Sequence, residues 1–419
     1  MKKIIALLLA CLMIVGMFAG CAKKPAGEEK GSVYYLNFKP EFNDALTALA
    51  KKYTEKTGIE VKIVTAASGD YNKTLTSNIK DVTIFNIGNA AALADWDEYA
   101  LDLKDSAIAK ELTTNDFNLY NAAGELKAIG NCYESFGIIV NTKLLKDAGY
   151  ELADIKDFAT LKAAAEDIHA RAAELGFDAF TTSGLQESSS WRFSGHLATL
   201  PLHYEGVKSA VATITGDKLD LYKNVWDLYI NNAAADPTSL TGESDAAAEF
   251  KAGKAVFYQN GTWEYAGLKD AGMTDDQLAM IPIYCGAEND KDAALCSGTE
   301  NCWAINAKAS EADLKASIDF LVWLVSDAEA SKVYVEQLGA VPFKNCPASA
   351  NKFVADGNAL LAAGKTSVSW AFNYTPNVDA WRATVVTALA AYSAGTAEWS
   401  TVVEAFVDGW AYEYGVING

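Results

Sequence analysis

VYYLNFKPEFNDALTALAKKYTEKTGIEVKIVT, residues 33–65, decides the fold. Its first six residues, Val33 to Phe38, are rich in β-branched and aromatic side chains and predict a strand. Phe42, Ala45, Leu46, Leu49, Ala50 and Tyr53 then share one helical face. Gly58 supplies the left-handed stop that ends such a helix. Ile59 to Thr65 alternates as a second strand, Tyr71 to Ile79 predicts another helix, and Val82 to Asn86 (VTIFN) a buried strand. This β-α-β-α-β order predicts a parallel sheet with helices on its faces.

The alternation continues downstream. Leu126 to Ile129, Phe136 to Asn141, Ala255 to Gln259 and Cys302 to Asn306 predict further strands. A helical stripe runs through Phe158, Leu161, Ala164, Ala165, Ile168, Ala172 and Leu175 to Gly176. After Glu311 the pattern is almost wholly helical: Ile318 to Val325, Ala328 to Gly339, Ala348 to Ala363, Val378 to Ala394 and Val402 to Tyr414. Two α/β units with a helical tail predict a two-lobed body. Ligands of open α/β sheets sit beyond the carboxyl ends of the strands, so the loops there are where function is sought.

Upstream, Lys2 and Lys3 precede an apolar run from Ile4 to Ala19, which ends in Phe18-Ala19-Gly20-Cys21. Such an order predicts an export signal, and the small residues before the cysteine resemble the lipobox of bacterial lipoproteins. That resemblance implies cleavage after residue 20, acylation of Cys21 and a place on the outer face of the cell membrane. Ala22 to Ser32 has no apolar periodicity and predicts a tether.

The 419 residues suit two domains, and half of them are hydrophobic, enough to fill a sizeable core. The formal charge is −19, or −21 once Lys2 and Lys3 leave with the signal. So acidic a chain is a poor partner for nucleic acid, whose recognition needs Lys and Arg at phosphates. Beyond Cys11 and Cys21 there remain Cys132, Cys285, Cys296, Cys302 and Cys346. Five is odd, so at least one is free or pairs between chains. Cys285 with Cys296 could close a local disulfide, and buried free thiols are the alternative. No Cys-x-x-Cys spacing marks a zinc or redox site.

Catalytic patterns are thin. There is no Gly-x-Ser-x-Gly elbow, phosphate-binding Gly-rich loop with Lys, or His-Glu-x-x-His. His169 lies in a helix, and His196 and His203 flank Leu200-Pro201; core or solvated histidines are expected there rather than metal ligands. No cofactor or metal is expected. Acidic residues are too abundant for spacing to select a hydrolytic pair.

Aromatic residues say more. Trp191, Trp263, Trp303, Trp370 and Trp381 fall in or beside loops, most with amide or carboxylate neighbours. A sugar ring offers C–H faces to aromatic rings and hydroxyls to planar polar groups. Asn131-Cys132-Tyr133-Glu134, Gln186-Glu187-Ser188-Ser189-Ser190-Trp191 and Asn260-Gly261-Thr262-Trp263-Glu264 mix both types.

Four stretches carry a resemblance. They are Gly137 to Leu145 (GIIVNTKLL); Phe250 to Ala255 (FKAGKA) through Gly261-Thr262-Trp263; Trp303 to Asn306 (WAIN) with the helix Ala316 to Val325; and Gly339-Ala340-Val341-Pro342. In this order and spacing the chain resembles the sugar-binding proteins of ABC importers, the group that includes maltose-binding protein. The resemblance implies a periplasmic-binding-protein-like α/β fold, with two lobes joined by crossover hinge strands. It divides the chain into an N-lobe of 33–132 and 284–342 and a C-lobe of 133–283 and 343–419.

It also implies site residues. Glu134, beside Tyr133, stands where a cleft carboxylate lies near the first crossover, and Glu187 and Trp191 in a Glu-plus-aromatic segment. Trp263 matches a stacking tryptophan, and Trp381, with Trp370, a late one. Asn86 and Asn89 stand where maltose-binding protein has an aromatic residue and an Asp, a departure that argues against maltose. Lys39 and Glu41, after the first strand, are expected hydroxyl partners. The function this implies is capture of a sugar, an oligosaccharide in size, by a monomer without chemistry of its own, and its delivery to an ABC permease. Rival readings are the same fold with a polyamine, peptide or metal chelate, and a surface-anchored glycoside hydrolase.

Overall fold

The computed structural model describes residues 30–66, 68–115, 117–182, 184–186, 189–233, 245–299 and 301–419. Cys21, the export signal and Glu187 therefore lie outside the described residues. Strands in chain order are β1 (Ser32–Asn37), β2 (Glu60–Thr65), β3 (Ile84–Ile87), β4 (Leu119–Tyr120), β5 (Leu126–Gly130), β6 (Glu134–Asn141), β7 (Asp178–Phe180), β8 (Ala255–Gly261), β9 (Leu278–Ile281), β10 (Ala293–Gly298), β11 (Cys302–Ile305) and β12 (Thr366–Ser369). One sheet runs β2-β1-β3-β11-β5-β4 and the other β12-β10-β6-β8-β7, with β9 also on β6.

The opening stretch folds as its pattern dictates. The helix Asn43–Thr57 buries Leu46, Leu49, Ala50 and Tyr53, and Gly58 ends it at φ 71°, its N–H on the Thr54 carbonyl at 2.8 Å. Strand β1 pairs in parallel with β2 and β3. The sheet as a whole is mixed rather than parallel, because β11 runs antiparallel to both β3 and β5. Its direction has a topological cause: β11 enters from the other lobe, against strands that leave toward it. Buried residues on the two faces of this sheet form separate clusters, around Tyr53, Trp303 and Phe320 and around Leu36, Tyr71 and Phe85. The second sheet packs into a core that holds Phe136, Trp226, Trp381 and Trp410.

Among the described residues the chain crosses between the lobes three times. The first is Asn131-Cys132-Tyr133, between β5 and β6. The second falls between Gly298 and Cys302, because β10 pairs with β6 and β12 in the second sheet. This corrects the expected return at residue 284, since residues 284–298 belong to the C-lobe. Cys285 and Cys296 lie in its core. The third also moves: Phe343 packs in the N-lobe and the Lys344 N–H reaches the Glu111 carbonyl (2.9 Å), whereas Asn351 Nδ2 donates to Thr262 O (2.8 Å) across in the C-lobe. The five cysteines among the described residues are all free.

Candidate functional site

A cleft of about 900 Å³ opens between the lobes. Its N-lobe wall begins where β1 and β3 end. Phe38 follows β1, Asn86 and Ile87 close β3, and Asn89 caps the helix Ala90–Trp96, its Oδ1 accepting from the Ala92 N–H at 2.8 Å. That short helix brings Ala92 and Trp96 to the wall, and the helix Ser68–Asn78 brings Tyr71 and Asn72. The Tyr71 hydroxyl donates to the Leu36 carbonyl (3.1 Å) and accepts from the Asn86 N–H (2.6 Å), so ring and strand are held together. Phe38 meets the Tyr71 ring edge-on at 5.3 Å.

The C-lobe wall is built on a π turn, Arg192–Leu197, flanked by Trp191 and followed by the helix Thr199–Glu205. In a continuous α-helix the Pro201 ring would strike the carbonyl of Leu197; the wider turn ends at that residue. Such turns are frequent at functional sites, and this one carries Gly195 and His196 into the cleft. His196 stacks on Phe136 (3.7 Å, 9°), has Trp191 edge-on at 4.8 Å and takes a hydrogen bond from Gln259 Nε2 at 2.9 Å. Burial, aided by Arg192 and Arg382, holds its pKa well below the ordinary histidine value, so the imidazole is neutral. The helix Val378–Ser393 completes the wall with Asp379 and Arg382. The guanidinium lies 3.6 Å from Asp379 and its Nε donates to Ser194 Oγ at 3.1 Å.

Of the residues singled out in the sequence, Asn86, Asn89 and Trp191 line this cleft. Lys39 and Glu134 meet each other instead, in a buried ion pair of 2.6 Å; Glu41, half-exposed, stands 3.7 Å from the same ammonium. Burial alone would lower the Lys39 pKa, but the Glu134 charge overrides it and the pKa is raised. Tyr133 stacks on Phe117 (4.8 Å, 10°) beside the first connection. Trp263 is half-buried, 6.1 Å from Trp191, and its ring lies 2.2 Å from where a Cβ on Gly261 would be, so the motif's glycine is needed for packing.

Two expectations are corrected. Trp381 is fully buried, its indole N–H donating to the Phe406 carbonyl at 2.9 Å and its ring edge-on to Phe406 and Trp410. Trp370 is likewise buried, bonded to Cys296 O at 3.0 Å and stacked on Phe136. Both satisfy their one polar group inside the C-lobe core, so their faces are occupied by protein. The sequence reading missed Tyr71, Trp96, His196 and Arg382. For Tyr71 and Trp96 a signal existed in chain order, since each lies in the helix that follows a strand, after β2 and after β3.

Among the described residues no group of three or more His, Cys, Asp or Glu could hold a metal ion, and no helix is long and apolar enough to cross a membrane. Residues 48–360 match the model of the bacterial extracellular solute-binding protein family. The chain belongs to that family. Solved structures agree in fold. A putative binding protein, msme, of Bacillus subtilis in an open conformation is 16% identical with a TM-score of 0.74, covering 93% of this chain and 98% of its own. The GacH receptor of Streptomyces glaucescens, solved unliganded and with acarbose, is 20% identical with a TM-score of 0.68, covering 93% and 99%. RafE in complex with raffinose is 14% identical with a TM-score of 0.69, covering 91% and 99%. No curated protein matches the sequence.

Proposed function

We propose that this solute-binding protein captures a sugar, an oligosaccharide in size, in the interlobe cleft and delivers it to the permease of an ABC importer. The observation that carries this reading is the make-up of the cleft. Aromatic rings from both lobes (Tyr71, Trp96, Trp191, Phe372) alternate with Asn72, Asn86, Asn89, Ser190 and a neutral His196. Rings offer faces to sugar C–H groups, and the amides and hydroxyls both donate and accept. Among the described lining residues the only cation, Arg382, stands beside Asp379, so the wall favours an uncharged ligand. A polyamine would want the carboxylates that this wall lacks: Asp379 is the only one among the described lining residues. A glycosidase would want two, about 5–9 Å apart. The volume lies toward the upper end of the range of roughly 300–1,000 Å³ for small-molecule sites. The raffinose and acarbose named with RafE and GacH are oligosaccharide-sized, which supports the same class here.

A thermal-shift screen of neutral oligosaccharides against polyamines and short peptides tests the class, since a ligand at a hundred times its Kd stabilises by about 2.7 kcal/mol. Calorimetry on Trp191→Ala and Asn86→Ala should then show losses of about 1–3 kcal/mol each for the sugar that binds. Stabilisation by spermidine and by no sugar would overturn the reading.

A further inference from the structure

A second cavity of about 700 Å³ is lined, among the described residues, by the C-lobe alone. It opens beside the carboxyl end of β8 and is lined by Tyr258, Asn260 and Glu264 together with Arg192 and Ala247. Trp191 lines both this cavity and the interlobe cleft, so the two spaces meet at one indole.

Its chemistry is unusual. Arg192 is 4% exposed. Its Nε donates to the Gln259 carbonyl at 2.8 Å, and its guanidinium lies 5.0 Å from the centroids of Tyr258 and Phe193. Among the described residues no carboxylate comes within the 4.0 Å of an ion pair with it. Burial depresses its pKa from the ordinary arginine value. On the lining of the same cavity Glu264 accepts from Asn260 Nδ2 at 3.1 Å and pairs with the Tyr258 hydroxyl, and burial raises its pKa. A buried cation and a desolvated carboxylate thus face one space without touching. A hydroxyl group fits such a gap, because it accepts from the guanidinium and donates to the carboxylate at once. An anion would meet Glu264 and Asp245 on the same walls, and an apolar group would leave both charges unsatisfied.

We infer that this cavity is a second sugar subsite, holding the units of an oligosaccharide that lie past Trp191 and bridging Arg192 to Glu264 through sugar hydroxyls. The inference rests on the sugar reading of the cleft and adds a chain-length preference to it. The test is calorimetry with three series of probes: melibiose, raffinose and stachyose; maltose, maltotriose and maltotetraose; and the chitin di-, tri- and tetrasaccharides. Wild type, Glu264→Gln and the cavity-filling Ala247→Trp are compared, each checked for an unchanged circular dichroism spectrum. Within a series that binds, the longest sugar should bind wild type more tightly than the disaccharide. Both variants should weaken the longest by about tenfold, the scale of one charged hydrogen bond, and leave the disaccharide unchanged. Equal losses for short and long sugars, or none in either variant, overturn the subsite while leaving the cleft reading intact. Failure of every sugar to bind wild type overturns both.

Discussion

Replacing Glu134 by Gln leaves the Lys39 ammonium buried without its counter-charge. The two meet at 2.6 Å with side-chain exposures of 11% and 9%, one just past the end of β1 and the other at the start of β6. At that distance and an effective dielectric of about 20, two unit charges attract by about 6 kcal/mol, before the cost of drying them is counted. Desolvation offsets most of that gain, so the pair is close to neutral against an apolar pair of the same volume. Removing one partner alone keeps the desolvation cost and loses the attraction, typically at about 3–5 kcal/mol. Glu41 cannot substitute: it is 3.7 Å away and 48% exposed, which limits it to a few tenths of a kcal/mol.

The assay is urea unfolding of Glu134→Gln, Lys39→Met and the double variant Lys39→Met/Glu134→Leu at pH 7. The Lys39 pKa is raised in the folded state, so the pair's contribution is complete below the ordinary lysine pKa and is lost only as pH climbs through the raised value. Neutral pH therefore reads it in full. Each single variant should lose about 3–5 kcal/mol and the double variant should lie within about 1 kcal/mol of wild type. Single losses below about 1 kcal/mol, or a double loss equal to the sum of the singles, would refute the reasoning.

Two further outcomes are expected. His196 stays neutral when folded but takes up a proton when unfolded below about pH 6.5, so wild-type stability should fall on acidification by up to about 1.4 kcal/mol per pH unit from this residue; His196→Asn should lack that component, and identical pH slopes by urea titration between pH 7 and 5 would count against it. For the proposed anchor, Cys21→Ser in the full chain should abolish incorporation of labelled fatty acid and release the protein to the medium, and unchanged labelling would place the lipid elsewhere.

Much of the architecture was legible because its elements are long and periodic. The helix after β1 and its stop at Gly58, the stripe through Leu161 and Ile168, and the helices beyond Glu311 all appear where the pattern puts them. Strand β12 did not: Thr366–Ser369 is four residues at a sheet edge with one buried side chain, too short for alternation to register. The second connection was also misplaced, because β10 is an apolar run whose lobe depends on its partners and not on its own residues. Tryptophans divided by context. Trp381 recurs with Val385, Ala388 and Leu389 at helical spacing, a core stripe that outweighs its polar neighbours. Asn86, Asn89 and Trp191 could be found because they stand at a strand end, a helix cap and a turn, where polar and aromatic residues stand out from the periodic pattern, whereas the helix faces that also line the cleft read as ordinary helix.

The described cations of the two cavities and the hinge are satisfied in different ways. Lys39 has Glu134 and Arg382 has Asp379 within reach. Arg192, the most buried of the three, has a carbonyl and two aromatic rings. In a chain with 54 acidic residues against 35 basic ones, a carboxylate partner is easily supplied, and a buried guanidinium with none within ion-pair distance among the described residues is the costlier arrangement. Glu264 lines the same cavity and is not drawn into an ion pair, its hydrogen bonds coming instead from Asn260 and Tyr258. A direct Arg192–Glu264 pair would tie up part of the hydrogen-bonding capacity of each group and close the space between them. Keeping them apart preserves a buried donor and a partly buried acceptor facing one gap. That is the arrangement in which a ligand hydroxyl contributes most.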